Sequence, residues 1–137
     1  MTQEKPVPAP TNDSRAFWSN CSHNNLVVQR CRECGTAQYY PRNVCASCGS
    51  SDIQWVESAG KGTVYSYTVV HRAPSAAFSK DVPYVLAIIE LAEGPRMMSN
   101  IVDCDPGEVS IGMDVEVGFE IRADNVGVPV FKPARRG

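Results

Sequence analysis

Four cysteines in a doubled motif constrain the fold of this 137-residue chain more than any other feature. The stretch CRECGTAQYYPRNVCASCG, residues 31–49, contains two Cys-x-x-Cys-Gly units. Within each unit the two cysteines lie close enough to bind one ion, and the glycine that follows, Gly35 or Gly49, can adopt a positive φ. That turn lets backbone N–H groups point at the sulfur atoms. The spacing predicts one metal site formed by four thiolates, those of Cys31, Cys34, Cys45 and Cys48.

The predicted metal site is structural. Four protein ligands complete a tetrahedron, whereas a catalytic metal needs an open position for water or substrate. Zn²⁺ is the expected ion, and iron is the alternative because it accepts the same tetrahedral sulfur ligands. In a small ribbon with almost no core, a metal-binding free energy of about 10 kcal/mol or more becomes folding free energy.

Composition and charge indicate a folded chain that is a poor candidate for binding nucleic acid. Hydrophobic residues make up 43% of the sequence and charged residues 20%, as in ordinary globular proteins. The formal net charge is −2, whereas nucleic-acid binders cluster Lys and Arg. We find no signal peptide and no apolar segment long enough to span a bilayer, and therefore expect no membrane partner and a cytoplasmic location. In that reducing compartment the cysteines favour a metal site over disulfides.

The first quarter of the chain is predicted to hold a flexible lead and a short helix. Prolines 6, 8 and 10 indicate an extended lead over residues 1–13. Residues 14–25 contain the predicted helix, which covers 15–22 and follows several potential N-caps at residues 11–14. Phe17 and Trp18 lie on one face of this helix. These two aromatic side chains either pack against the same chain or anchor a partner protein.

The remainder is predicted to be mostly β. Residues 26–58 form the metal ribbon, and residues 59–133 contain about five strands separated by short turns, with no helix of any length. The strongest strand signals are TVYSYTVV at 63–70 and YVLAIIEL at 84–91, and Glu93-Gly94-Pro95 indicates a hairpin turn. This pattern favours a small five-stranded antiparallel barrel, followed by a tail at 134–137.

The sequence contains no convincing catalytic set. A nucleophilic cysteine requires a nearby histidine, and the chain has only His23 and His71. Cys21 and His23 are two positions apart and would point to different faces, and nothing in the sequence connects Cys104 with His71. We expect Cys21 and Cys104 to act as small buried apolar side chains.

Several of these motifs together resemble the DUF35 family of acyl-CoA-associated proteins. They are the Phe-Trp pair, the doubled knuckle with Pro41-Arg42 between its halves, GKGTVYSYTVVHR, PYVLAIIEL and IGMDVEVGFE, and they cover residues 14–133. The resemblance implies a short N-terminal helix, a rubredoxin-like zinc ribbon and a C-terminal OB-fold. It also implies a non-catalytic accessory subunit of a thiolase-fold enzyme, a thiolase or a retro-aldolase. Such a subunit forms a hetero-oligomer, is required for partner activity and helps to enclose the CoA thioester.

The loop at 72–83 is the predicted contact with ligand or partner, since it is long for a hairpin and joins two well-defined strands. Phe78 at its centre is placed to enter an apolar pocket, and Arg72 and Lys80 are placed to meet CoA phosphates. Arg96, with Met97 and Met98 after it, is a further candidate for a thioester-facing surface. The alternative is an ordinary surface loop.

Two other functions stay open at this point. One is a free-standing acyl-CoA carrier, which would bind CoA esters without a partner. The other is a nucleic-acid module in which Tyr65 and Tyr67 stack on bases. The acidic charge balance argues against the second function, as does the expectation that Tyr65 and Tyr67 share a strand face that packs into the core.

Overall fold

The computed structural model describes residues 8–39, 41–122 and 126–134, and its fold is mostly β with one short helix, as predicted. Part of the predicted lead, residues 1–7, and part of the tail, residues 135–137, lie outside the described residues. Within the described part no helix has the length and apolar character needed to cross a bilayer. The regular elements are α1 (Arg15–Ser22), β1 (Val27–Cys31), β2 (Ala37–Gln38), β3 (Ile53–Glu57), β4 (Lys61–Val70), β5 (Tyr84–Leu91), β6 (Arg96–Ile101), β7 (Asp114–Ile121) and β8 (Gly127–Pro133).

A three-stranded antiparallel sheet, ordered β2-β1-β3, forms the ribbon. Its central strand β1 pairs with β3 over five residue pairs, from Val27 with Glu57 to Cys31 with Ile53. The strand therefore ends at the first cysteine of the doubled knuckle. On the other side β1 pairs with only two residues of β2. The ribbon is too small to bury much apolar surface, which agrees with a sheet that relies on a metal ion for stability.

The other five strands close a barrel in the order β4-β5-β6-β8-β7, the arrangement of an OB-fold. All neighbouring strands are antiparallel except β6 and β8, which meet in parallel at Ile101 and Phe131. The turn predicted at residues 93–95 joins β5 and β6, and its Gly94 N–H donates to the carbonyl of Leu91. A register shift between Val64 and Ser66 interrupts the β4–β5 ladder, so β4 bends as it closes the barrel.

Helix α1 packs at the junction of ribbon and barrel. One continuous core joins Phe17 and Cys21 of α1 to residues of β1 and of the barrel strands. A Cβ at Gly127 would collide with the carbonyl oxygen of Cys21, so only glycine lets β8 approach the helix this closely. At the same place the Gly127 N–H donates to Ser22 Oγ at 3.3 Å.

For Phe17 the structure decides between the two interpretations drawn from the sequence. Its ring is 1% exposed and lies 5.5 Å from the ring of Tyr39, centroid to centroid, in an edge-on arrangement. Phe17 is therefore a core residue, and the prediction that it anchors a partner is wrong. The neighbouring Trp18 is only half-buried and packs against the outside of the same core, so its role as an anchor stays a prediction.

A carboxylate fastens the segment between ribbon and barrel. Glu93, on the β5–β6 turn, accepts hydrogen bonds from the Ser58 hydroxyl at 2.7 Å and from the Ala59 N–H at 3.0 Å. Burial by itself would raise the pKa of Glu93, but these bonds, with the nearby charge of Arg30, outweigh it and hold the pKa below its ordinary value. No local motif predicts this contact, because Glu93 is 35 positions from Ser58.

Replacing this carboxylate should lower stability in a pH-dependent way. We expect Glu93→Gln to reduce the free energy of unfolding by about 1–2 kcal/mol at neutral pH, because a neutral amide accepts more weakly than a carboxylate. Since the folded pKa is depressed, the contribution is present above the unfolded pKa of about 4.3 and is lost as pH falls through the folded pKa. Chemical denaturation across this range measures it, with Glu57→Gln at an exposed position as control. A difference from wild type that stays constant with pH would contradict the assignment.

Candidate functional site

The structure brings the four predicted cysteines together at the end of the ribbon. Their sulfur atoms all lie within 4.8 Å of one another, with 3.6 Å between Cys31 and Cys48 and 3.5 Å between Cys34 and Cys45. Tetrahedral thiolate ligands of one ion, at about 2.3 Å from it, have sulfur separations in this range. The cluster is half-enclosed, since Cys31 and Cys45 are buried and Cys34 and Cys48 are exposed. This arrangement suits a structural metal ion.

Backbone N–H groups near the sulfur atoms stabilise negative charge on them. Gly35 and Gly49 have φ of +76° and +78°, as the spacing predicts, and each N–H donates to the carbonyl of the first cysteine of its unit. The N–H of Cys34 points at Cys31 Sγ, and the N–H groups of Ser47 and Cys48 point at Cys45 Sγ, at 3.3–3.5 Å. These donors favour thiolate over thiol.

Hydroxyl contacts add to this effect at one of the exposed thiols. The Thr36 hydroxyl lies 3.2 Å from Cys34 Sγ, and its hydrogen bond, with a second from the Thr36 backbone, lowers the pKa of Cys34 to about 6. A thiol with this pKa is largely ionised at neutral pH. At Cys48 the Ser50 backbone also favours the thiolate, but hydrogen bonds with the other three sulfur atoms, together with burial, outweigh it and raise the pKa of Cys48 to about 12. Metal binding must therefore still remove protons from the cluster.

Two glutamines that the sequence analysis did not single out hold the second knuckle in place. The buried Gln29 accepts from the Arg42 N–H at 2.9 Å and donates to the Arg42 carbonyl at 2.9 Å. Its Oε1 also accepts from Gln38 Nε2 at 2.7 Å, and Gln38 Oε1 in turn accepts from the Ala46 N–H. The two side chains thus connect β1 and β2 to the loop before Cys45. A polar residue inside an apolar strand such as VVQRC is the signal that points to them.

The two cysteines outside the cluster do not form catalytic pairs with histidine. Cys21 is fully buried, as expected, and burial raises its pKa to about 12. His23 is exposed, with Nδ1 lying 2.8 Å from the carbonyl oxygen of Ser19. Cys104 is half-buried and packs against the same core, so its predicted burial is confirmed only in part. Partial burial and the charges of Glu108, Asp105 and Asp103 raise the pKa of Cys104, which makes it a weak nucleophile.

Cys104 lines a cavity of about 390 Å³ at one end of the barrel. Phe78, on the 72–83 loop, forms another part of its wall, and the Phe78 ring lies 6.3 Å from that of Tyr84. From the sequence we expected Phe78 to enter an apolar pocket. In the structure its side chain forms part of the wall of a cavity in the same chain. A cavity of this size, with mostly apolar walls, is typical of a binding site.

The basic residues proposed for CoA phosphates lie in two places. Arg72 and Lys80 are exposed and belong to the loop that carries Phe78. Arg96 starts β6, where its guanidinium lies 3.8 Å from the centroid of the Tyr65 ring and 3.0 Å from a carboxylate oxygen of Glu90. The structure therefore does not gather the three cations into one group by any contact that it describes, and their ligand roles stay predictions.

The prediction that Tyr65 and Tyr67 belong to the core is wrong. Tyr65 is 48% exposed, and Tyr67 is exposed as well. The register shift after Val64 adds a residue to β4, which breaks the simple inward and outward alternation on which the prediction relied. Tyr65 stacks beneath Arg96 and does not face the barrel interior.

Ribbon, cluster and barrel together define a small rubredoxin-like ribbon joined to an OB-fold. Residues 18–54 match the family described as "ChsH2, rubredoxin-like zinc ribbon domain", and residues 55–120 match "ChsH2, C-terminal OB-fold domain". The chain belongs to this family, whose relatives include proteins described by the DUF35 domain. The resemblance seen in the sequence is confirmed.

Three relatives illustrate this membership. A "Probable enoyl-CoA hydratase alpha subunit" of Thermomonospora curvata is 41% identical over 98% of this chain, which spans only 43% of that longer protein. A "DUF35 domain-containing scaffold protein" of Methanocaldococcus jannaschii is 47% identical over 69% of this chain and 67% of its own length. Among solved structures, one described as "Ltp2-ChsH2(DUF35) aldolase" aligns with a TM-score of 0.84 and 40% identity, covering 94% of this chain and all of that one.

Proposed function

We propose that this protein is a non-catalytic accessory subunit of a thiolase-fold enzyme that acts on acyl-CoA, either a thiolase or a retro-aldolase. The observation that carries the proposal is the cluster of four cysteines, because an ion bound by all four has no position left for substrate. The two remaining cysteines have raised pKa values, so neither supplies a ready nucleophile. The reactive groups then belong to the partner. The relative described as an aldolase complex and those described as scaffold proteins support this division of labour.

We infer that Zn²⁺ is the ion in the cluster and that it is structural. The family description as a zinc ribbon supports zinc, while four thiolates also suit iron. Elemental analysis of the purified protein should give one zinc ion per chain. A reducing compartment such as the cytoplasm would keep the thiolates available. Protein that carries iron, detected by the visible absorption of iron–thiolate bonds, would contradict the assignment of zinc.

A hydratase is the second candidate partner. The Thermomonospora curvata relative is described as a hydratase subunit, and this chain matches less than half of it. In that case the chain would serve an enzyme that adds water to an enoyl-CoA. The substrate that is turned over by the assembled complex separates the two candidates.

Co-expression with a thiolase-fold subunit from the same genome tests the proposal. We expect a stable hetero-oligomer, thioester chemistry only when both chains are present, and no turnover by this chain alone. Full activity of the partner without this chain would contradict the proposal. Calorimetric titration of the isolated chain with acyl-CoA adds a second test, because binding without a partner would favour a free-standing carrier.

A further inference from the structure

Strand β5 is apolar on both of its faces from Tyr84 to Ile89, before Glu90 on the outer face. Its inward side chains, including Val85 and Ile89, are buried in the barrel, and its outward side chains Tyr84, Leu86 and Ile88 are half-buried. An antiparallel strand with solvent on one side normally alternates between apolar and polar residues. Near-continuous apolar sequence is typical of strands that are covered on both faces. The outer face of β5 is therefore built to be covered.

Neighbouring strands extend this apolar surface. Met98 of β6 pairs with Ile88 and is 63% exposed. A shallow groove runs along the outer face, with a volume of about 210 Å³. Its outward-facing walls come from Leu86, Ile88 and Met98, with the hydroxyl-bearing Ser66 and Thr68 opposite them on β4. Large exposed apolar side chains grouped around a groove mark an interaction site.

The groove continues into the cavity at the end of the barrel. Leu86 lines both the groove and the cavity, and Tyr84 extends the same outer face into the cavity wall. From Tyr84 to Ile88 the strand rises about 13 Å, at roughly 3.4 Å per residue. An extended protein segment of about four residues has this length and would cover groove and cavity together.

The cavity end of this surface is acidic. Asp81 and the ion pair of Glu120 with Arg122 lie in the cavity lining, and Asp103, Asp105 and Glu108 lie on the loop that carries Cys104. Asp103 and Asp105 are next to Cys104 in the chain and Glu108 is four positions away, so these carboxylates lie near the part of the cavity wall that Cys104 forms. Arg72 and Lys80 lie on the loop that carries Phe78, but the carboxylates outnumber the cations at this end of the barrel, and an excess of negative charge attracts a basic group.

We propose that the outer face of β5 and the adjoining cavity form one docking surface for an apolar segment of the partner enzyme that carries Lys or Arg next to its apolar anchor. The proposal rests on the proposed function, since the partner is the thiolase-fold subunit. An apolar side chain fills the cavity beside Phe78, the basic group meets the acidic rim, and the rest of the segment covers Leu86, Ile88 and Met98.

The rate at which Cys104 reacts with a thiol reagent can show whether this surface is covered, because Cys104 lines the cavity. In metal-loaded protein the cluster cysteines are coordinated and Cys21 is fully buried, so Cys104 is the accessible thiol of the chain. We expect maleimide to modify Cys104 slowly in the isolated chain, because its pKa is raised, and much more slowly still in the complex with the thiolase-fold subunit. We expect Met98→Asp to weaken the complex at least about tenfold, as at interface hot spots. The matched control is Val44→Asp, an exposed apolar position on the ribbon, which should bind as wild type does.

A charge variant tests the acidic rim. The double variant D103N/E108Q should bind the partner several-fold more weakly and with less dependence on salt. Asparagine suits position 103, because Asp103 has a φ of +60°. Thermal unfolding of each variant checks that the fold is intact.

The outcomes separate this proposal from the proposed function. If the complex forms but Cys104 reacts at an unchanged rate and M98D binds as wild type does, the docking surface is wrong and the accessory role stands. If no complex forms, both fail. Protection of Cys104 by acyl-CoA in the isolated chain would make the cavity a small-molecule site. A homodimer that Met98→Asp disperses would make a second copy the occupant, and each of these results overturns the proposal.

Discussion

Replacing Cys45 with serine is expected to abolish metal binding and to unfold the ribbon. Cys45 is buried, and its sulfur receives two backbone N–H groups, so serine leaves both donors directed at a weaker ligand. Metal binding supplies about 10–16 kcal/mol in small zinc-binding peptides, more than a three-stranded sheet gains from its own packing. Metal analysis after dialysis against a chelator should find the ion retained in wild type and absent from the variant.

Hydrogen exchange locates the damage. Amides of β1 and β3 should lose protection in Cys45→Ser, while the barrel strands stay protected but unfold at a lower denaturant concentration, because the two parts share a core. Cys104→Ser is the matched control and should keep both the metal and the protection. A Cys45→Ser protein with native exchange rates in β1 would show that the ribbon does not depend on the ion.

Truncating Phe17 to alanine is expected to destabilise the whole fold by about 3–5 kcal/mol, the usual cost of removing a buried phenylalanine. The ring contacts Trp18 and Tyr39 edge-on and belongs to the core that joins α1, the ribbon and the barrel. The cavity left behind cannot collapse easily, since elements on three sides fix its walls. Chemical denaturation measures the change as a shift of the midpoint with little change of slope.

Trp18→Ala provides the comparison. Its side chain is half-buried, so we expect a smaller loss of about 1–2 kcal/mol. If Trp18 anchors the partner, this variant will also weaken the complex, whereas Phe17→Ala will do so only in proportion to its loss of folded protein. Equal stability losses for the two variants would contradict the placement of Phe17 in the core.

Local signals in the sequence were sufficient for the elements of the fold. The doubled Cys-x-x-Cys-Gly spacing, the segment 15–22 and the run YVLAIIEL each carry their structure in neighbouring residues, and the structure has a knuckle, a helix and a strand at these places. The order of the strands in the barrel could not be predicted from neighbouring residues, because the parallel contact of β6 with β8 joins Ile101 to Phe131, far along the chain. The spacing of strands and turns predicted a closed barrel, while the family resemblance predicted that it is an OB-fold.

Errors arose where a side chain's surroundings depend on register or tertiary packing. Tyr65 lies outside the core because the register shift adds one residue to β4. The Cys104 thiol lines a cavity and is not inside the barrel, because it is on a loop after β6. Glu93 and Gln29 act on partners 35 and 13 positions away, and no short motif encodes such contacts. The sequence of β5 is a run of apolar residues without alternation, which does not show the face to which each side chain points. Only the structure shows which of these side chains are buried in the barrel and which lie on its outer face.

The docking of α1 on β8 has a consequence for biosynthesis. Ser22 and its partner Gly127 are 105 positions apart, so a nascent chain must wait on the order of 5–20 s, at ribosomal speed, between making the helix and making the strand that covers it. The ribbon cysteines leave the ribosome early and can capture their ion during this delay. The part of the helix that β8 covers stays exposed throughout, and co-translational chaperones have that interval in which to bind it.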